Sequence, residues 1–129
     1  MFEDIDKFCI GEMSGVLHYR DIPLVDFSIN GFQLLYAKDL SGGKYYPFHL
    51  AIGGLNYGSF NAFFNDRVVR EHAQDIRDYL DSMGLGYYDF DALIKKNNGW
   101  DAIGCHWIRF PSIGAKSWHD ILTQKYPIY

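Results

Sequence analysis

Apolar and polar residues alternate through the first third of the chain and then give way to a helical period. In "DIPLVDFSI", Leu24, Asp26 and Ser28 alternate with Val25, Phe27 and Ile29. A period of two puts one set on a core face and the other toward water, as in a strand. "VLHYR" before it and "FQLLYAK" after it carry the same pattern, so residues Val16 to Lys38 read as three short strands. Asn30-Gly31 separates the last two, and both residue types tolerate the positive φ that a tight primed hairpin turn needs. Pro23 has no N–H for a ladder, which predicts an edge strand or a strand's first residue. "LSGGK" predicts a loop, and "YYPFHLAI" a further extended piece before "GGLNYG".

From Ser59 the spacing is helical. "SFNAFFNDR" predicts a short helix with Ser59 as its N-cap and Phe60, Phe63 and Phe64 on one side. A longer helix is expected from Arg70 to Met83, because Val69, Ala73, Ile76, Leu80 and Met83 recur at spacings of four, three, four and three. Arg77 and Asp81 stand one turn apart on its wet side, and Gly84 or Gly86 is placed to end it. "DFDALIKKN" predicts a third helix, capped by Asp89 or Asp91 and stopped at Asn98-Gly99. "CHWIRF" reads as a closing strand and "SWHDILTQ" as a final helical turn capped by Ser117. In the closing strand Cys105, Trp107 and Arg109 share one face, and His106, Ile108 and Phe110 the other. Apolar groups on both faces predict a strand covered on both sides. Trp100 is left in the preceding turn, either as a lid over the core or as an exposed anchor.

Strands first, helices next and a late strand predict an α+β fold: a small N-terminal antiparallel sheet, about three helices and a closing strand. The 129 residues fit a single domain spanning 1–129. A composition 48% hydrophobic and 18% aromatic predicts a folded core. The formal charge of -4 and a pI near 5.6 disfavour a phosphate-backbone binder, so no nucleic acid is expected as partner. Cys9 and Cys105 suggest no disulfide framework, "MFEDIDKFCIGEM" lacks the basic start of a signal peptide, and no run approaches the roughly twenty apolar residues of a membrane span. The expectation is a cytoplasmic protein with no membrane association.

The chemistry-bearing residues offer no recognisable catalytic constellation. Cys105 and His106 are adjacent and point to opposite faces of a strand, while His18, His49, His72 and His119 have no sequence-near partner, so no metal site is expected. Cys105 in an apolar strand reads as a small buried hydrophobe, with a thiol nucleophile as the competing reading. Asp89, Asp91 and Asp101 read as helix and turn caps before an acid–base pair. None of the glycine stretches matches a phosphate-binding loop, and the H-R-D and D-F-G elements of a kinase are absent. No cofactor is expected.

The order of "RDIPLVDFSI", "NAFFNDRVV", "IRDYLDSMGL", "ALIKKNNG", "HWIRF" and "SWHDI" resembles an N-terminal region of clostridial HipA-like proteins, a family of serine/threonine kinases that includes toxins of toxin–antitoxin modules. The matching positions are Asp21-Ile22-Pro23, Arg67, Ile76, Leu80, Lys96, Gly99, Trp107-Ile108 and Trp118-Asp120-Ile121, spread over Val16 to Ile121. Val69, Glu71 and His72 depart from the pattern's Pro, Ser and Arg, and Gly104 stands where an Asp is usual. The kinase part of the family would follow this region, whereas this sequence stops at Tyr129. The resemblance therefore implies a stand-alone, non-catalytic N-terminal subdomain, which in three-part relatives serves as an antitoxin by docking on the kinase core. A protein-binding or regulatory module of a toxin–antitoxin system is thus expected, its partner a HipA-like kinase core or another toxin. Exposed aromatics and arginines dominate interface energy, which nominates Trp100, Phe64, Arg67, Arg70, Tyr87 and Tyr88 as partner-binding residues. Two other readings stand beside it: a mobile-element inhibitor of a host defence complex, and a small enzyme using Cys105.

Overall fold

The computed structural model describes residues 12–67, 76–82, 84, 86, 90–100, 104–111 and 113–123. It is an α+β arrangement, with four antiparallel strands in the order β3-β2-β1-β4. The strands are β1 (Glu12–Tyr19), β2 (Ile22–Asn30), β3 (Gln33–Asp39) and the late closing strand β4 (His106–Arg109). The helices are α1 (Phe48–Gly53), α2 (Tyr57–Asn65), α3 (Ile76–Ser82), α4 (Phe90–Lys96) and α5 (Trp118–Thr123).

The alternation in β2 sorts the sheet's faces as expected. Val25, Phe27 and Ile29 are fully buried, and across β1 they meet Leu17, Gly15 and Met13 in register. Leu24 breaks the alternation and is buried too. The register slips here, with Val25 opposite Leu17 but Pro23 opposite His18, so Leu24 is the extra residue of a bulge. A bulge re-aims a side chain, and this one adds Leu24 to the core. Pro23 is the second residue of an internal strand, but it precedes the stretch paired to β3, where no ladder bond is asked of it. The β2–β3 hairpin turns on Gly31 and Phe32, one residue later than Asn30-Gly31 suggested, because Asn30 still pairs with Gln33. Gly31 alone of the two takes a positive φ, +65°, as a primed turn with glycine at its first central position requires.

Helix α2 lays Phe60, Phe63 and Phe64 on this inner face, and Phe27 meets Phe60 and Phe64 at ring-centroid distances of 4.8 and 6.0 Å. Tilted aromatic pairs of this kind contribute roughly 0.5–1.5 kcal/mol each beyond their burial. Leu50 of α1 and Ile94 of α4 complete the core with Ile108 and Phe110. The cap of α2 is Asn56, not Ser59: its Oδ1 accepts the Ser59 N–H at 2.9 Å, and Ser59 lies in the first turn. Segment 45–52, expected to be extended, instead contains α1. Pro47 has extended angles and its carbonyl accepts the first bonds, from Leu50 and Ala51, while Gly54 (φ +82°) ends the helix.

Of the expected 70–83 helix, Ile76–Ser82 is described, with Leu80 buried and Arg77 3.6 Å from Asp81 on the surface. Gly84 follows with φ +74°. Helix α4 begins at Phe90, so Asp91 lies within it rather than before it, and Asp89 and Asp101 fall outside the described residues. The helix ends where Asn98 and Gly99 turn left-handed, at φ 54° and 62°. Ser117 caps α5, its Oγ accepting the Asp120 N–H at 3.2 Å.

β4 is covered on both sides. Ile108 belongs to the main core, while Trp107, on the opposite face, forms a second small core with Ala115 and Ile121.

Candidate interaction surface

His18 is buried on the outer face at 7% exposure, its Nδ1–H donating to the Val16 carbonyl at 3.0 Å and its ring 4.8 Å from that of Trp107. Burial holds its pKa below the usual value, and the nearby Arg109 adds to the effect, against the opposing influences of the Val16 bond and Asp21. It is a core histidine. His49 has a partner that sequence distance concealed: its Nε2–H donates to Asp66 Oδ2 at 2.6 Å, tying α1 to the end of α2. His106 Nε2–H donates to the Tyr45 carbonyl at 2.7 Å, and the His119 carbonyl accepts the Thr123 hydroxyl. Cys105 is a free thiol of intermediate exposure beside Arg20, so it is not the buried hydrophobe expected. Among the described residues no three His, Cys, Asp or Glu side chains gather as metal ligands would. No described helix is long and apolar enough to cross a membrane.

The residues nominated for partner binding are scattered. Phe64 has none of its surface exposed and lies between Phe27, Phe60 and Phe63, so it is a core residue and must be removed from the set. Arg67 is half-buried, with its guanidinium carbon 4.1 Å from the Phe63 ring centroid and its carbonyl accepting from Asn97 Nδ2. Trp100 is a lid: its Nε1–H donates to the Gly104 carbonyl at 2.7 Å, and its ring meets Trp118 edge-on over the small core. Arg70, Tyr87 and Tyr88 lie outside the described residues.

The exposed apolar surface sits elsewhere. Phe48 and Ile52, one helical turn apart on α1, are 72% and 75% exposed, more than any other exposed large hydrophobic described. They flank an open groove of about 400 Å³ between α1 and α2, lined also by His49, Ser59 and Ala62. Gly53 brings the two helices close there, since a Cβ on it would collide with the Ser59 hydroxyl. Further exposed groups are Phe32, against Tyr57 of α2, and Leu35 and Tyr36 on the edge strand β3. Sequence reading missed Phe48 and Ile52 because it made their segment a strand. A signal was present all the same, since Pro47 before the run and Gly53-Gly54 after it carry the proline-first, glycine-last asymmetry of a helix.

The chain matches no protein-family model, no curated protein and no solved structure.

Proposed function

We propose that this chain is a non-catalytic protein-binding module whose partner docks on the α1–α2 groove. The observation that carries the reading is the exposure of Phe48 and Ile52 at i and i+4 beside that groove. A lone exposed hydrophobe needs no explanation, but two on one short helix that buries only Leu50 form a ridge. Covering both side chains would contribute roughly 3–6 kcal/mol, which corresponds to about two to four decades of affinity. The particular role proposed is an antitoxin or accessory component of a toxin–antitoxin system, with a HipA-like kinase core as partner, on the strength of the N-terminal resemblance alone.

The test is affinity capture from the native host with wild type, Phe48→Ser/Ile52→Ser and Trp100→Ala side by side, read by mass spectrometry. A stoichiometric protein lost with the double variant and kept by Trp100→Ala supports the groove. A kinase of the HipA-like family in that band supports the antitoxin role, and any other protein there removes it. Capture that survives the double variant moves the interface away from α1, and no partner in any sample discards the module.

A further inference from the structure

Ser59 is 7% exposed, yet among the described residues no hydrogen bond reaches its Oγ. Its N–H is already taken by Asn56 Oδ1 at 2.9 Å. Buried polar side chains are bonded in nearly all native structures, so a buried hydroxyl left over beside a groove points to a partner from outside. The hydroxyl faces Gly53 across the gap between α1 and α2, in space that a Cβ on Gly53 would claim, and both residues line the groove.

The groups around it are donors. Gly58, also in the groove lining, is the second residue of the nine-residue helix α2, and its N–H has no acceptor within the helix or among the described residues. The first turn of α2 holds no acidic residue, so the partial positive charge of this helix end is left uncompensated. Asp66, the one acid of the segment 48–66, stands seven residues beyond Ser59, about 10 Å along the axis, where it accepts from His49. The donor end is also the blind end. Asn56 bridges the two helices there, its Nδ2 donating to the Gly53 carbonyl at 2.6 Å while its Oδ1 holds the Ser59 N–H. A polypeptide entering past Phe48 and Ile52 can stop at this bridge but cannot run on through it.

We propose that the α1–α2 groove takes the C-terminal carboxylate of the partner polypeptide. Ser59 Oγ–H and Gly58 N–H donate to its oxygens, and its last apolar side chains cover Phe48 and Ile52. His49 adds a contact for the chain behind the carboxylate. Its Nε2–H is spent on Asp66, which leaves Nδ1 to accept a backbone N–H, one turn of α1 or about 6 Å from Gly53 and within the reach of two extended residues. The inference rests on the reading of this groove as a protein-docking site and names what the partner presents to it.

The test is an NMR titration of the ¹⁵N-labelled chain, to millimolar concentration, with acetyl-Gly-Ser-Leu-Phe bearing a free carboxylate. The comparisons are its C-terminal amide, the amidated peptide acetyl-Gly-Leu-Glu-Phe-Gly, and 3-phenylpropionate. Expected with the free carboxylate are shifts localised to His49, Gly53, Gly58 and Ser59, absent with either amidated peptide and weakened about tenfold or more in Ser59→Ala. Ser59→Ala melts at or above the wild-type temperature, because it removes an unbonded buried hydroxyl and favours the helix, which separates lost binding from lost fold. Binding retained in Ser59→Ala, equal binding of either amidated peptide, or no localised shift overturns the proposal. Equal binding of 3-phenylpropionate assigns the site to a free acid and overturns the polypeptide terminus as well. The two readings fail separately. Capture that depends on Phe48 and Ile52 but survives Ser59→Ala leaves the groove reading standing and overturns this one, whereas localised peptide binding with no captured partner upholds the carboxylate site while the module reading falls.

Discussion

Asn98 behaves toward Ile108 as a neighbouring strand would. Its carbonyl accepts the Ile108 N–H at 2.7 Å, and its Nδ2 donates to the Ile108 carbonyl at 3.0 Å. The same side chain accepts the Ala115 N–H through Oδ1, at 3.3 Å, within a residue only 1% exposed. One asparagine therefore satisfies the outward backbone groups of Ile108 in β4 and fastens the segment leading to α5. Removing it strands a buried carbonyl and a buried amide, each worth about 1–3 kcal/mol. Asn98→Ala is expected to destabilise the chain by about 2–4 kcal/mol in urea unfolding. Asn98→Gly should be about 1 kcal/mol milder, because glycine accepts the positive φ. An alanine variant within 0.5 kcal/mol of wild type would show that the pairing contributes little.

His18 predicts a pH dependence of definite sign. Its folded pKa lies below the usual 6.5, chiefly through burial, so the unfolded chain takes up a proton more readily. Stability from this residue is complete above pH 6.5 and falls as the pH drops through 6.5 toward the depressed folded value. Thermal melts between pH 7.5 and 5 should show a declining midpoint in wild type and a flatter profile in His18→Gln. Parallel profiles would exclude His18 as the source.

Tyr46 donates to Asp39 at 2.7 Å, and burial together with that carboxylate pushes its pKa up to about 12. Asp39 in turn is held below its usual value, first by the Tyr46 hydroxyl. In an ultraviolet tyrosinate titration, Tyr46→Phe should remove a late-ionising phenol, and Asp39→Asn should bring it part of the way back toward 10. The Asp39 contribution to stability runs in the opposite window from that of Tyr46, being present above the ordinary aspartate range and lost in acid. An unchanged late titration in both variants would mean that the bond does not form in solution.

Gly15 lies against β4 with no room for a side chain. A Cβ there would approach Ile108 Cγ2 to 2.8 Å and the Arg109 carbonyl to 2.9 Å. Gly15→Ala should destabilise by about 1–3 kcal/mol, the range for overpacking a rigid core. A neutral effect in denaturant unfolding would mean that β4 sits further from β1 than the register implies.

The fold was legible where pattern and punctuation agreed. Val25, Phe27 and Ile29 announced their face, and Trp107 beside Ile108 announced a strand buried on two sides. Reading failed where a tertiary partner decided the outcome. Leu24 is core only because of a bulge against His18, which local sequence does not show. The burial of Phe64 was legible in its helical spacing with Phe60 and Phe63, and nominating it for an interface set that signal aside. The α1 ridge was misjudged for a different reason: a short apolar run with aromatics suits a strand as well as a helix, and periodicity over eight residues does not separate the two. His49 and Asp66 could not be paired from sequence, since 17 positions separate them and only the α1–α2 turn closes the gap.

The two edges of the sheet are unequal. β4 ends against Asn98, whereas β3 is terminal in the strand order and carries exposed Leu35 and Tyr36. Among the described residues, a strand added from outside would therefore find its place on the β3 side, since at Ile108 the β4 border already has its backbone groups bonded to Asn98.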